Sequence, residues 1–407
     1  MPSPQSTPLF VKKTIRVSKT VSIPDIRKIA LYKKAPELGP KVLFFSGGSA
    51  LAKFSRALIN YTHNSIHIIT PFDSGGSSAE LRNTFNMLAV GDLRSRLMAL
   101  ADQSVQGNPE VYRLFSYRLP NDMENKKLAE LIDCMIKGSH PLVSDIHDPM
   151  RKIIRSHLQL FREKMPGDFN LRGASIGNLI LTGGYLNNNR HIDPVIFLFS
   201  KLVEARGVVR PVVNKHLHLM ANLENGDTLS GQNLFSGNGK GLPSPIKRIY
   251  LSESLEQANP VTPPIRNKIT NLISQTELIC YPMGSFYSSI IANLLPGGVC
   301  KAISENDCPK VYVPNIGLDP EQHGLTLDGL VETLIAYLKP GHESIPPVNK
   351  LLNFVLVDLS HKNYPEPYNL KKIEQMGVEI IDTPLISEKS EPYIDENLLS
   401  SALLSLV

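Results

Sequence analysis

Tryptophan is absent from this chain of 407 residues, and cysteine is scarce. No two of the four cysteines form a C-x-x-C pair; they are Cys134, Cys280, Cys300 and Cys308. This spacing argues against a structural zinc site and against a disulfide framework, so we expect a reducing, cytoplasmic compartment. No long apolar segment follows residues 1–10, and we therefore expect no signal peptide.

Long hydrophobic runs and clusters of one charge are also missing. No apolar run approaches the ~20 residues that cross a bilayer, so we expect no membrane partner. The formal net charge is only +5, and the basic residues are scattered among the acidic ones. A basic patch is the usual mark of nucleic-acid binding, so its absence leads us to expect no nucleic-acid partner.

Short apolar runs, with helical periodicity between several of them, make up most of the chain. The runs that predict strands lie at 41–45, 66–70, 208–213, 216–223, 246–251, 278–281, 310–313 and 352–358. Strands that alternate with helices are typical of a mainly parallel sheet that helices cover on both faces. The sequence therefore predicts a doubly wound α/β fold with a short β-hairpin, whose turn contains the Asn225-Gly226 pair.

The chain divides into regions of different composition. Residues 1–40 are polar, basic and rich in proline, and we interpret them as an N-terminal arm. Residues 41–407 are predicted to form one α/β domain. Within this domain, residues 108–170 are mostly helical, and we interpret them as a helical insertion or lid, because loop insertions in α/β folds often close over a site.

Glycine and serine are concentrated at three junctions that follow predicted strands, at 46–49, 73–78 and 283–285. Glycine lets the backbone approach a ligand closely, serine adds a hydroxyl donor, and a helix that begins after such a loop favours phosphate. No junction has the Walker A or G-x-G-x-x-G pattern, and each alone could be an ordinary turn. The candidate ligand-binding residues are Gly47, Gly48, Ser49, Ser74, Gly75, Gly76, Ser77, Ser78, Gly284 and Ser285.

Two carboxylates accompany the second junction. Asp73 follows the strand predicted at 66–70, and Asp92 lies further on in a Gly-Asp-x-Arg segment. Two carboxylates repel a diphosphate unless a cation lies between them, and Mg²⁺ commonly binds one or two carboxylates together with phosphate oxygens. We interpret both residues as metal ligands and catalytic candidates. The alternative is that they only cap the helices that follow.

Nearby basic side chains are further candidates. Arg94 is a candidate phosphate ligand, and Arg82 and Arg96 are the other cations close in sequence; the alternative for each is a solvated helix face. Arg94 and Arg96 cannot face the same way on one helix. His216 and His218 lie two apart in a predicted strand, so they share a face, and we interpret them as structural.

Several blocks of the sequence resemble the CofD-like superfamily, which includes 2-phospho-L-lactate transferase and the gluconeogenesis factors. The blocks are Thr-Pro-Phe-Asp-Ser-Gly-Gly-Ser-Ser at 70–78, Gly-Asp-Leu-Arg at 91–94, Ala-Leu-Ala-Asp at 99–102, Ser-Ile-Gly-Asn-Leu at 175–179, the hairpin at 219–232 and Gly-Ser-Phe-Tyr-Ser-Ser-Ile at 284–290. The resemblance implies a Rossmann-like fold and a nucleoside diphosphate or its conjugate as ligand, with Mg²⁺ in the transferase. Residues that the resemblance places in the site are Gly47, Gly48, Asp73, Gly76, Ser77, Asp92, Asn178, Gly284 and Ser285.

The chain departs from the family pattern at a few positions. The first glycine block is less rich than usual, Pro282-Met283 replaces a Gly-Pro pair, and Ser95 stands where asparagine is usual. The resemblance leaves two functions open. One is an enzyme that transfers a phosphorus-linked group from a nucleoside-diphosphate conjugate to an alcohol; the other is a non-catalytic regulator that binds a nucleotide sugar. A homodimer is the default expectation for either.

Overall fold

A computed structural model describes residues 20–48, 50–104, 107–239, 241–361 and 364–407, with the backbone alone at 236–239. The strands in these ranges are β1 (Val42–Ser46), β2 (Ile66–Ile69), β3 (Val208–Pro211), β4 (His218–Leu223), β5 (Thr228–Ser230), β6 (Ile246–Ser252), β7 (Leu278–Tyr281), β8 (Lys310–Tyr312), β9 (Phe354–Val357) and β10 (Glu379–Asp382).

The helices in the same ranges are α1 (Ile26–Lys34), α2 (Ala52–Leu58), α3 (Gly76–Phe85), α4 (Gly91–Ala99), α5 (Pro109–Ser116), α6 (Asn125–Lys137), α7 (Pro141–Ser144), α8 (Met150–Lys164), α9 (Ile176–Asn187), α10 (Ile192–Leu202), α11 (Asn267–Ser274), α12 (Val299–Glu305), α13 (Leu327–Leu338), α14 (Leu370–Gln375) and α15 (Glu396–Ser405). The helix that the sequence predicts from residue 79 begins earlier, because the last glycine and serine residues of the predicted loop form the first turn of α3.

Seven strands form one parallel sheet in the order β10-β9-β8-β7-β1-β2-β3. The interior strand β1 is buried along its whole length, and Leu43 aligns with Ile66 of β2 and with Ile279 of β7. The chain proceeds from β1 to β2 and β3 on one side, and reaches β7 on the other side only later, so the strand order reverses between β1 and β7. The predicted α/β fold is confirmed.

The other strands form an antiparallel sheet in the order β5-β4-β6. Strands β4 and β5 are the arms of the predicted hairpin, which is confirmed, and Gly226 in the turn has a φ of 95°. His216 precedes β4 and His218 is its first residue, so the prediction that both lie in the strand is wrong for His216. The reason is that the Leu217 carbonyl accepts a hydrogen bond from buried Arg82 rather than from a neighbouring strand.

The helical region at 108–170 packs into the body of the protein. Its helices α5, α6 and α8 share one hydrophobic core with α9 and α10. Phe161 of α8 packs edge-on against Phe85 of α3 and against Phe169, with ring centroids 5.8 Å and 5.6 Å apart. This core anchors the region; its closure over a ligand, as a lid, stays a prediction.

The N-terminal arm is described only from residue 20 onward, and residues 1–19 lie outside the described ranges. Its helix α1 lies against α15 near the end of the chain. The Asp25 N–H donates to Ser405 Oγ at 2.7 Å, and Lys28 Nζ donates to the Ser405 carbonyl at 3.1 Å. Among the described residues, no helix combines the length and the apolar character that crossing a membrane requires.

Candidate functional site

A cavity of about 240 Å³ opens at the carboxyl edge of the parallel sheet, where β1 adjoins β7. The strand order reverses at this point, which is where open α/β sheets bind their ligands. The residues that line this central cavity are Ser46, Gly47, Gly48, Ala50, Leu51, Asp73, Asp92, Gln232, Met283, Gly284, Ser285 and Ser289. All three predicted junctions therefore meet at one place. Ser49, predicted with them, lies outside the described residues.

The first junction is held by Arg96 of α4. Its guanidinium is fully buried and donates to the carbonyl oxygens of Gly47 and Gly48 at 2.9 Å and 3.4 Å. Burial lowers the pKa of Arg96 to about 10, which leaves the side chain charged at neutral pH. The alternative that Arg96 lies on a solvated helix face is therefore wrong. Arg96 does not line the cavity; it fixes the backbone of the loop that does.

Gly48 is required by the close approach of its backbone to Asp92. A Cβ atom at position 48 would lie 2.1 Å from Asp92 Oδ1, a distance that no side chain tolerates. The Gly48 backbone N–H also favours the charged form of the Asp92 carboxyl and so lowers its pKa. The backbone of the first junction and the Asp92 side chain therefore pack directly against each other.

The second junction is fixed by hydrogen bonds at both ends. Asp73 Oδ1 accepts from the Gly75 N–H at 3.0 Å, and Arg82 donates to the Asp73 carbonyl at 2.9 Å. Ser74 Oγ donates to Asn233 Oδ1 at 2.8 Å, which ties this junction to the segment after β5. Arg82 is 2% exposed and is therefore a structural cation rather than part of a solvated face.

Asp92 has a strongly perturbed carboxyl group. Burial, and next the negative charge of Asp73, raise its pKa to about 7, while Arg96 and Arg94 act in the opposite direction. A carboxyl with a raised pKa that borders a cleft is typical of functional sites. The N-cap residues of α3 and α4 are Gly75 and Val90, so the alternative that Asp73 and Asp92 are the N-caps of these helices is wrong.

Asp73 and Asp92 together present two carboxylates to a cation. Over the ranges that the structure describes, no three His, Cys, Asp or Glu side chains converge. Structural zinc sites use four protein ligands, whereas Mg²⁺ usually takes one or two carboxylates and completes its shell with water and phosphate oxygens. The chemistry of this pair fits Mg²⁺ better than zinc.

A second cavity, of about 180 Å³, adjoins the same carboxylates. We call it the arginine pocket; its lining residues are Asp73, Gly75, Gly76, Ser77, Ser78, Gly91, Asp92, Arg94, Ser95, Arg118 and Asn178. It brings residues 75–78 of the second junction together with Arg94 and Asn178, which lie far apart in sequence, whereas Ser74 lines neither this pocket nor the central cavity. Asp73 and Asp92 line both cavities.

The third junction has fewer free donors than its sequence suggests. The backbone N–H groups of Tyr287 and Ser288 both donate to Glu321 Oε2 at 2.8 Å. Burial, and next the neighbouring charge of Asp319, raise the pKa of Glu321 to about 7. A carboxyl of the protein therefore occupies the start of the short helical segment Phe286–Ile290, which would otherwise attract phosphate. The glycine and serine of the junction itself still line the central cavity.

Replacing Glu321 by alanine is expected to lower the free energy of unfolding by about 2 kcal/mol, since two buried backbone N–H groups would lose their acceptor. Thermal unfolding at pH 6 and pH 8 measures this effect. The control is Glu305→Ala at an exposed position, which should be nearly neutral. Equal melting temperatures for the two variants would contradict a structural role for Glu321.

A third, more apolar cavity of about 510 Å³ continues from the central one. The two share Ala50, Met283, Gly284 and Ser285. Phe54, Ile316, Leu318 and Tyr393 supply apolar surface to it. The cleft therefore joins a polar centre, suited to phosphate, to an apolar end, suited to the organic part of a ligand.

Sequence reasoning missed several residues of the cleft. Gln232 and Ser289 line the central cavity, although both fall within blocks that resemble the CofD-like superfamily. Asn293 is buried and donates to the Ser46 and Ser289 carbonyls at 3.2 Å and 2.7 Å. No sequence signal points to Asn293 or to Arg118, because each reaches the site only through the fold.

Comparison with known proteins agrees with this architecture. The family described as 2-phospho-L-lactate transferase CofD matches residues 42–386. The gluconeogenesis factor of Bacillus subtilis is 26% identical over 376 residues, which cover 90% of this chain and 98% of that protein. An uncharacterised protein of Saccharomyces cerevisiae is 26% identical over 368 residues, covering 71% of this chain and 80% of its own.

A solved structure shares the fold. The crystal structure of a UPF0052 family protein from Bacillus halodurans superposes with a TM-score of 0.65 at 22% identity, covering 90% of this chain and 99% of that one. Since the family match spans most of the residues, the chain belongs to the CofD family.

Proposed function

We propose that this member of the CofD family binds a nucleoside-diphosphate-linked ligand together with Mg²⁺ in the cleft at the β1–β7 edge. The observation that carries the proposal is the Asp73–Asp92 pair, which lines the cavity beside the first two glycine junctions. Junction amides and hydroxyls supply donors for phosphate oxygens, and a cation on the carboxylates removes the repulsion between them and the diphosphate. The adjoining apolar cavity accommodates the organic end of the ligand.

The same arrangement supports group transfer to an alcohol. The alcohol oxygen forms a bond to the distal phosphorus, the bond between that phosphorus and the bridging oxygen breaks, and a nucleoside monophosphate leaves. Of the two carboxylates, the one that does not bind the cation can accept the alcohol proton. A bound Mg²⁺ would neutralise charge on the phosphate oxygens.

Melting temperatures in the presence of a panel of nucleoside diphosphates and their conjugates test the binding. A ligand at 100 times its Kd should stabilise the fold by ~2.7 kcal/mol, and the effect should need Mg²⁺. Arg113→Gln, at an exposed position on α5, serves as a variant that should keep the response. If no nucleotide shifts the melting temperature, with or without Mg²⁺, the proposal fails.

A regulatory function is the second candidate, and it is favoured by the names of relatives such as the gluconeogenesis factor of Bacillus subtilis. In that case, the cleft would bind a nucleotide sugar without turnover. Mass spectrometry distinguishes transfer from regulation. It measures the nucleoside monophosphate that a bound conjugate releases with and without a panel of alcohols. Release that depends on alcohol and Mg²⁺ supports transfer, whereas binding without release supports regulation.

A further inference from the structure

The arginine pocket contains two guanidinium groups that are held by neutral partners. Arg94 is 9% exposed and donates to the Phe115 carbonyl at 3.2 Å and to Ser95 Oγ at 3.4 Å. Arg118 is exposed and donates to the Gly173 carbonyl at 3.1 Å. Within the described part of the chain, neither guanidinium forms an ion pair. An anion between the two would relieve their mutual repulsion.

Three helices start at this pocket. Gly76 of α3, Gly91 of α4 and Asn178 of α9 each lie in the first turn of their helix and line the pocket. The N-cap residues Gly75, Val90 and Ser175 make no side-chain capping bond, although the Ile176 N–H of α9 donates to the Tyr117 carbonyl at 3.0 Å. The first N–H groups of a helix have no partner within it, and together with the helix dipole they favour an anion.

Asn178 gives an independent indication of a ligand. Its side chain is 1% exposed, and its Oδ1 atom has no hydrogen-bond partner among the residues that the structure describes. A buried amide oxygen without a partner is costly, so such atoms are usually satisfied by something that binds. The Asn178 amide can accept from a hydroxyl of the ligand through Oδ1 and donate to an oxygen of the ligand through Nδ2.

We propose that the arginine pocket binds a phosphate monoester group carried by the second substrate, the alcohol that accepts the transferred group. Donors that come from three helices and two arginines suit the several oxygens of phosphate better than the two oxygens of a carboxylate. This inference rests on the proposed function. Transfer at phosphorus needs the attacking and leaving oxygens roughly in line, so the two substrates must reach the reacting phosphorus from opposite sides. The two cavities meet at Asp73 and Asp92, as that geometry requires.

Inorganic phosphate is the probe for this site. Calorimetric titration in phosphate-free buffer at constant ionic strength and fixed Mg²⁺ should show phosphate binding to the wild-type chain, both with and without a bound nucleoside diphosphate, because Mg²⁺ offsets the charge of Asp73 and Asp92 in the pocket. Arg118→Gln should weaken phosphate binding about tenfold, which is what the loss of one charged hydrogen bond predicts. The same variant should change the Kd of the nucleoside diphosphate less than twofold. Arg113→Gln is the matched control and should leave both affinities unchanged.

Three results would overturn the assignment: no phosphate binding, equal phosphate affinity in Arg118→Gln and Arg113→Gln, or competition between phosphate and the nucleoside diphosphate. Competition would mean that the pocket holds a phosphate of the nucleotide itself. Failure of the proposed function is recognisable separately. If no nucleotide binds but phosphate binding still depends on Arg118, the nucleotide proposal falls and the anion site stands.

Discussion

An Asp92→Asn variant is expected to lose Mg²⁺-dependent nucleotide binding while its ligand-free fold becomes more stable at pH 8. The loss of affinity should exceed the roughly 10–100-fold that removal of an outer-shell partner of a metal usually costs, because a direct ligand disappears. The gain in stability follows from the environment of the carboxyl. Burial and Asp73 disfavour the charged form of Asp92, and asparagine carries no charge.

The pH dependence of this stabilisation has a definite sign. The folded chain holds the Asp92 proton with a pKa of about 7, above the value of 3.8 for an ordinary aspartate, so the folded state binds more protons between these values. Stability of the wild-type chain therefore falls as the pH rises through this window. The advantage of Asp92→Asn should be largest above pH 7, and it should vanish near pH 4. We expect it to be on the order of 1–2 kcal/mol, because the carboxyl borders an open cavity.

Thermal unfolding from pH 4 to pH 8 and nucleotide titrations at fixed Mg²⁺ measure the two effects. The control is Asp122→Asn, at an exposed carboxylate, which should alter neither. A variant that is less stable than the wild type at pH 8 would show that Asp92 stabilises the fold. If Asp92→Asn keeps its Mg²⁺-dependent affinity for the nucleotide, Asp92 is not a ligand of the metal.

The Gly183→Ala variant should be among the most destabilised single substitutions in the chain. A Cβ atom at position 183 would lie 2.0 Å from the His157 carbonyl oxygen and 3.1 Å from the Phe161 nitrogen. Both are backbone atoms of α8, so relief requires α8 to move away from α9. We expect a loss of about 3 kcal/mol or more, despite the gain in helix propensity of about 1 kcal/mol from alanine.

Denaturant unfolding of Gly183→Ala and Gly167→Ala tests this contact. A Cβ atom at position 167 would have no neighbour within 4 Å among the described residues, so the second variant should be nearly neutral. If both variants unfold at the same denaturant concentration, the two helices are not in direct backbone contact. A selective loss for Gly183→Ala would show that the region at 108–170 is anchored through α9.

Local patterns make much of the fold predictable. The strands β1 and β7 consist mainly of apolar runs in the sequence, and only His67 interrupts the apolar residues of β2. Glycine or serine follows each strand within a few residues, so both the strands and their junctions are visible before the fold is known. Parallel strands place their carboxyl ends at one edge, which explains why junctions more than 200 residues apart meet. The sequence blocks that contain or flank these junctions are the ones that indicate the CofD family.

Hydrogen bonds between residues far apart in sequence could not be predicted. The sequence shows Arg96 only as a charged helix residue, because nothing local indicates that it reaches the carbonyls of Gly47 and Gly48. In the sequence, the third junction looks like another phosphate-binding loop, because nothing local shows that its N–H groups already have an acceptor. Its acceptor, Glu321, lies more than 30 residues away, and only the fold brings it to the Ser288 N–H.

The carboxylates at the third junction also bear on which nucleotides can compete for the cleft. Asp319 accepts from the Phe286 N–H at 2.9 Å, and Glu321 accepts from the two N–H groups that follow. An additional phosphate that extended toward this helix start would find its donors taken and would meet negative charge. Under the proposed function, we therefore expect nucleoside triphosphates to bind more weakly than a diphosphate-linked ligand, because of charge rather than size.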